Sequence, residues 1–519
     1  MSMIQVEHLT FAYPASYDNL FEDVSFQIDT NWKLGLIGRN GRGKTTLLRL
    51  LLGQYDYQGT IHAPVSFDYF PFPVAHRDRW TEEVLAEHCP QAQSWQFLRE
   101  LAQLDLDAEV LYRPFSSLSQ GEQTKVLLAA LFLRPDAFLL IDEPTDHLDR
   151  RAREVVAGYL ARKKGFLLVC HDRHFLDGCT DHILALNRTG IQVQSGNFSS
   201  WLTNFQRQQT FEQRQNQRLQ KDIAQLTQAA RRTAAWSDRI EAGKYGSGPV
   251  DRGFVGHKAA KMMKRATAIA RRRQRAAAEK AGLLKNQERA EPLKLSPLPP
   301  LTDPLLSLTN VFPLAQGRPV CQPVSFALSP GERIALDGGN GSGKSSLLRL
   351  LQGEDLPHQG TVKLASGLVI SYVPQDTAWL SGSLADFART NALDLSLFQA
   401  ILRKLDFART QFEKDLADFS AGQKKKVLLA RSLCQRAHVY VWDEPLNYID
   451  LYSRMQLEQL LLTFTPTMVF AEHDSAFRTA VATRTLALTG PADGLQFSPP
   501  RGTLGGRSRK DDLPHARQT

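Results

Sequence analysis

Two octapeptides, Gly38-Arg39-Asn40-Gly41-Arg42-Gly43-Lys44-Thr45 and Gly338-Gly339-Asn340-Gly341-Ser342-Gly343-Lys344-Ser345, hold the residues of this chain best suited to phosphate chemistry. Glycines let backbone N–H groups approach a phosphate, and the helical Leu-Leu-Arg-Leu that follows Thr46 and Ser346 places a helix N-terminus behind it. Lys44 and Lys344 would neutralise β- and γ-phosphates, while the hydroxyls of Thr45 and Ser345 would hold Mg²⁺. ATP and Mg²⁺ are therefore the expected ligands.

Each loop is followed by an apolar run that ends in two acids, Phe138-Leu139-Leu140-Ile141-Asp142-Glu143 and Val439-Tyr440-Val441-Trp442-Asp443-Glu444. So apolar a strand is buried on both faces and delivers its terminal acids to one edge of a parallel sheet. Asp142 and Asp443 suit Mg²⁺ coordination; Glu143 and Glu444 suit a base that orients attacking water. His171 and His473 each end a further apolar strand and fall within reach of a γ-phosphate. Ahead of the acids stand Leu118-Ser119-Gln120-Gly121-Glu122 and Phe419-Ser420-Ala421-Gly422-Gln423. Each reads as a Ser-capped helix start whose glycine exposes backbone N–H groups. Alone this is a capped helix; beside the phosphate loops it becomes the half-site supplied by the opposite cassette.

The elements that position these groups occur twice. Val24-Ser25-Phe26 matches Val324-Ser325-Phe326, and Gly38 to Leu51 matches Gly338 to Leu351, at an offset of 300 residues. The chain is thus a duplication of an α/β domain of about 200 residues, too long a period for a solenoid. The expected division is 1–197 for the first ATPase domain, 198–292 for an interdomain arm, 293–304 for a Pro-rich linker, 305–490 for the second domain and 491–519 for a disordered basic tail.

The arm differs in kind from both domains. Asn197 to Ala242 contains no Gly or Pro, so a helix of about 45 residues and ~65 Å is possible. The turn Gly243 to Pro249 would send a second Ala-, Lys- and Arg-rich helix back from about His257, with Leu219, Ile223, Leu226 and Ala230 as its seam. Gln206 to Glu291 carries 20 Lys/Arg against 8 Asp/Glu, a net of +12 within a chain of net +9. A basic hairpin standing off a slightly acidic body suits contact with a phosphate backbone, structured RNA above all. Lys244, Tyr245, Arg252, Phe254, His257, Lys258, Lys261, Arg271, Arg272 and Arg273 are the candidate contacts.

At 519 residues and 42% apolar content the chain supports full-sized soluble domains. No run of about 18 apolar residues exists and Met1 to Gln5 lacks a signal-peptide pattern, so a cytoplasmic protein with no membrane partner is expected. The five cysteines lack metal-ligand spacing and read as reduced, mostly buried residues.

The order of phosphate loop, LSxGE/Q-like signature, Asp-Glu-Pro and switch histidine, twice in one chain, resembles the ABC-F proteins from residue 1 to about 490. Asn31 to Asn40, Arg113 to Ser119, Gly243 to Gly246 and Trp442 to Tyr448 are similar to the Lsa-type branch. That resemblance implies head-to-tail pairing of the two domains of one monomer around two ATP molecules, with Tyr13 and Phe312 stacking on adenine. It also implies that the arm enters the E site of the 70S ribosome, beside ribosomal and transfer RNA, and protects the peptidyl-transferase centre from lincosamides, streptogramins A and pleuromutilins. A housekeeping ABC-F translation factor would share the fold. The ATPase subunit of a membrane exporter would leave the basic arm without a role. Three residues depart from the family pattern. Asp146 replaces an Asn, Gln120 replaces a signature Gly, and Phe72 stands where the second domain keeps the metal-ligating Gln375. On this reading the site built on Lys44 is the slower one.

Overall fold

The computed structural model describes residues 2–14, 19–134, 137–146, 148–187, 190–242 and 293–490, and, between 243 and 292, positions 261, 264–265, 267–269, 271–272 and 275–276. Each domain is built on a central, mainly parallel sheet. In the first, the strands run in the order Ser66–Phe70, Ala137–Asp142, Phe166–Val169, Lys33–Gly38, His182–Asn187 and Gly190–Ser195, the last of them antiparallel. In the second the order is Ile370–Val373, Val439–Asp443, Met468–Ala471, Arg333–Asp337 and Arg484–Ala487, all parallel. Every residue of Phe166–Val169, Val439–Asp443 and Met468–Ala471 is buried. That follows from covering both faces of a parallel sheet, which removes the alternation of polar and apolar residues.

One face of each sheet packs on a small antiparallel sheet and on the helix that follows the phosphate loop. In the first domain these are Phe21–Asp29, Met3–Phe11 and Gln58–His62 with helix Lys44–Leu51. The second repeats the arrangement with Leu306–Ala315, Val324–Leu328 and His358–Leu364. The opposite face packs on helices, among them Gln120–Leu131 and Ala421–Cys434. All five cysteines are free, four of them buried.

Helix Phe198–Ala242, 45 residues long, leaves the first domain with Phe198 and Trp201 sunk in that domain's core. Its length is possible because no Gly or Pro interrupts it, and its charged faces need no covering partner. Leu219, Ile223 and Leu226 are half-buried along it, and the described return-limb positions are helical. Lys261, Arg271 and Arg272 are exposed; Lys244, Tyr245, Arg252, Phe254, His257, Lys258 and Arg273 lie outside the described residues. Residues 293–304 are no free spacer. Leu293 and Leu295 are buried in the second domain's core and Leu298 N–H donates to Ala437 O at 2.8 Å.

Candidate functional site

The two domains face each other so that each phosphate loop looks across at the other domain's capped helix. A cavity of about 480 Å³ is lined by Tyr13, Asn40, Gly41, Gly43, Lys44, Thr45, Thr46, Asp142, Glu143 and His171 from the first domain and by Ser420, Gly422 and Tyr448 from the second. Its counterpart, about 810 Å³, is lined by Asn340, Gly341, Gly343, Lys344, Ser345, Ser346, Gln375, Glu444 and His473, with Ser119, Gln120 and Gly121 opposite. Each cavity thus draws its lining from both domains.

Local chemistry explains each placement. Gly43 and Gly343 have φ of 90° and 85°, the left-handed region that a Cβ disfavours, and so turn the chain into the helix. Lys44 Nζ donates to the carbonyls of Gly38 at 2.9 Å and Arg39 at 3.3 Å, and to Asn40 Oδ1 at 3.1 Å. Lys344 Nζ donates likewise to Gly338 O and Gly339 O. Ser119 and Ser420 each form a capping box, with Glu122 and Gln423 reaching back, which fixes the helix N-termini that face the cavities. A Cβ on Gly422 would lie 2.5 Å from Tyr448 O, so only glycine lets that helix start pack there.

Thr45 Oγ1 donates to Asp142 Oδ2 at 2.9 Å. In the second site Ser345 lies 3.5 Å from Gln375 Oε1, and Asp443 Oδ1 is buried with no hydrogen-bond partner. Hydroxyl, amide and carboxylate oxygens converging on one point fit Mg²⁺, and an orphaned carboxylate oxygen is what a hard cation satisfies. Thr45 with Asp142, and Ser345 with Gln375 and Asp443, are the residues that would hold it.

Both glutamates adopt left-handed backbones, φ 48° at Glu143 and 45° at Glu444, a conformation that costs energy and persists where a site over-determines it. His171 Nε2 lies 3.2 Å from Glu143 Oε1 and His473 Nε2 lies 3.3 Å from Glu444 Oε1. Beyond this the sites part. Glu444 Oε2 accepts from Gln375 Nε2 at 2.8 Å and from Asn447 Nδ2 at 2.5 Å. In the first domain Phe72 and Asp146 occupy the places of those two donors. Burial, then the charge of Asp146, pushes the Glu143 carboxyl up to about 8. Burial also acts on Glu444, but the hydrogen bond and charge of His473, with Lys344, outweigh it and hold the carboxyl below its ordinary range. Burial, and then the charge of Lys44, holds the His171 imidazole well below its ordinary pKa, so it is neutral.

Phe72 stands where Gln375 does. The register Phe70↔Ile141 matches Val373↔Trp442, and Pro71 and Pro374 follow. Its ring leaves the cavity and stacks on His88 with centroids 4.2 Å apart. The hydroxyl of Tyr69 donates instead to Asp142 Oδ2 at 3.0 Å, a contact that belongs to no motif and that only the alternation of this strand encodes. Asn447 and Tyr448, family markers by sequence, also line the second cavity, and Asn40 Nδ2 donates to Tyr448 O at 3.0 Å across the domain interface.

One expectation needs correction. Tyr13 is 40% exposed in the first cavity, its hydroxyl 2.7 Å from Thr46 Oγ1, and can offer its ring to a base. Phe312 cannot: it is 5% exposed within the core and absent from the second cavity's lining. The register explains this. His8 and Asn310 share a left-handed bulge whose N–H donates to Ser25 or Ser325, so Ala315, not Phe312, is the counterpart of Tyr13. The charge that Asp146 brings to the Lys44 site acts on Glu143, and Asp146 also lines the Lys344 cavity, standing between the two.

This fold and these paired sites define a tandem ABC-type ATPase that binds ATP with Mg²⁺ and hydrolyses it. The ABC transporter family model matches residues 21–146 and 321–447, one stretch in each domain. Along nearly the whole chain the similarity is to ABC-F-type ATP-binding proteins. "Uncharacterized ABC transporter ATP-binding protein YfmR" of Bacillus subtilis is 26% identical over 94% of this chain and 81% of its own. "Ribosome protection protein VmlR" of the same organism is 25% identical over 90% and 83%. "Energy-dependent translational throttle protein EttA" of Haemophilus influenzae is 25% identical over 90% and 89%. Among solved structures, the archaeal ribosome recycling factor aABCE1, in complex with ribosomal stalk protein aP1, superposes with a TM-score of 0.60 at 18% identity over 93% of this chain and 88% of that one. It shares the fold. No described helix is long and apolar enough to cross a membrane.

Proposed function

We propose that the chain is a cytoplasmic ABC-F ATPase that binds the 70S ribosome through its arm, next to the E site, and protects the peptidyl-transferase centre from lincosamides, streptogramins A and pleuromutilins. The observation that carries this reading is the continuous helix Phe198–Ala242, anchored in the first domain by Phe198 and Trp201, leading into a segment of net positive charge with Lys261, Arg271 and Arg272 exposed. A basic limb of that length has a use where phosphates lie tens of ångströms from the ATPase body. In this reading ATP closes the domains and sets the arm in its bound pose, and hydrolysis releases it. Ser119 and Gly121, with Ser420 and Gly422, bind the γ-phosphate across the interface. Glu143 and Glu444 take the proton of the attacking water, and His171 and His473 hold those carboxylates in place.

Two similar proteins are named for protection of the ribosome and for throttling of translation, which supports a ribosomal partner. The test is expression in a lincosamide-sensitive host, with ribosome co-sedimentation from the same cells. Raised tolerance that is abolished by deleting Ser247 to Val255, with basal ATPase intact, is the expected result. Ribosome binding without raised tolerance would assign the chain to translation itself and overturn the protective role.

A further inference from the structure

Where the arm leaves the first domain, three parts of the molecule meet on one side chain. Tyr452, 7% exposed on helix Leu451–Phe464 of the second domain, sits in the first domain's hydrophobic core. Its ring meets Trp201 and Phe205 of the arm helix edge-on, at centroid distances of 6.5 and 5.9 Å, while those two rings stack on each other at 4.9 Å. Arg39 of the first phosphate loop lies over the same ring, 5.5 Å from its centroid, with Nη1 3.5 Å from Asp406 of the second domain. The Arg39 carbonyl in turn accepts from Lys44 Nζ. Lys44 Nζ spends its three N–H donors on Gly38 O, Arg39 O and Asn40 Oδ1, so turning one to a bound phosphate releases a loop contact, and the loop that carries the guanidinium responds to the nucleotide.

The duplication supplies an internal control. Asp149 and Asp450 cap the corresponding helices, so Arg151 occupies the place of Tyr452, and Gly339 occupies the place of Arg39. Arg151 is exposed and pairs within its own domain with Asp105, the counterpart of Asp406. The stack of guanidinium and aromatic rings is thus built on the one side from which an arm emerges.

We propose that Tyr452 is the positioning residue that couples occupancy of the Lys44 site to the pose of the arm. Domain closure seats the ring between Arg39 and the Trp201–Phe205 pair, and the rigid helix carries that constraint outward; opening withdraws it. A cation over an aromatic face and edge-to-face rings are direction-dependent contacts, so they select one arm orientation where plain apolar packing would tolerate several. The proposal rests on the paired ATP sites and needs no ribosome.

The test uses the full chain carrying Glu143→Gln and Glu444→Gln, so that ATP is held, with a donor–acceptor dye pair at Arg218 on the arm and Lys363 on the second domain. ATP is expected to shift the distance between the dyes. Tyr452→Leu should lose that shift while binding ATP as before, and Tyr452→Phe should keep it, because the ring and not the hydroxyl makes the contacts. Phe205→Leu, which leaves Trp201 anchored, should lose the shift as well, and it carries the test if Tyr452→Leu fails to fold. A full ATP-dependent shift in Phe205→Leu or Tyr452→Leu overturns the proposal, as does an arm distance in the Tyr452-containing chain that ATP does not move. Loss of the shift in Tyr452→Phe assigns the effect to the hydroxyl and also overturns it. Because the measurement contains no ribosome, its outcome is independent of whether the arm binds one.

Discussion

Gln375 Nε2 donates a 2.8 Å hydrogen bond to Oε2 of Glu444, and the residue in its place in the first domain is Phe72, which has turned away to stack on His88. The same comparison holds for Asn447, a donor to Glu444, against Asp146, an acid that faces Glu143. Two donors on one carboxylate and a like charge beside the other make the two ATP sites chemically unequal, although their loops follow the same pattern.

Unequal turnover follows. Glu444→Gln should remove most ATP hydrolysis and Glu143→Gln a smaller share, with loss of a base costing roughly 10²-fold at the site concerned. Phe72→Gln and Asp146→Asn should each speed the first site. Steady-state ATPase of the single variants decides this, and equal losses from the two Glu→Gln changes would reject it.

The pH profile should separate the sites as well. A base acts only when deprotonated, and Glu143 is pushed up to about 8 while Glu444 is held below its ordinary range. With Glu444→Gln in place, the remaining turnover should rise as pH climbs through about 8; with Glu143→Gln it should be level across neutral pH. Adding Asp146→Asn to the first variant should move its rise to lower pH. A profile that Asp146→Asn leaves in place would rule out that charge as the cause.

Charge on the return limb should govern ribosome binding. Replacing Arg271, Arg272 and Arg273 with Glu should weaken co-sedimentation and flatten its dependence on salt, because fewer counterions are released per complex. Sedimentation that is unchanged across a salt series would sink the electrostatic reading.

A buried ion pair beneath the interface should matter for stability. Lys426 Nζ lies 2.8 Å from Asp450 Oδ2, with both side chains nearly inaccessible. Lys426→Met would strand the carboxylate and should cost about 3–5 kcal/mol by denaturant unfolding. Burial alone would raise Asp450, but the charge and hydrogen bond of Lys426 and the Ser453 N–H hold it well below its ordinary range. Its contribution is therefore present above the unfolded-state pKa of about 3.9 and lost as pH falls below that value, more steeply in the parent than in Lys426→Met.

Sequence alone determined the duplication, both phosphate loops, the paired acids, the capped helix starts and the uninterrupted arm helix, because each is a local matter of residue type at fixed spacing. Gly43 must be glycine for its φ, Ser119 must cap for its helix, and Phe138 to Ile141 must be apolar to lie within a parallel sheet. What the linear pattern could not decide was which side chains meet. Phe312 looked like the partner of Tyr13 until strand pairing, with matching bulges at His8 and Asn310, set Ala315 in that place and left Phe312 in the core. Residues 293–304 read as a Pro-rich linker, and only the fold shows that Leu293 and Leu295 fill the second domain's core. Asp146 looked like a neighbour of one site until domain pairing set it between two. Tyr69 and Tyr452 carried no motif at all. Their roles come from strand pairing and from the meeting of side chains in two domains, Tyr452 lying more than 200 residues along the chain from Trp201 and Phe205, where position is set by packing of the whole fold and not by nearest neighbours in sequence.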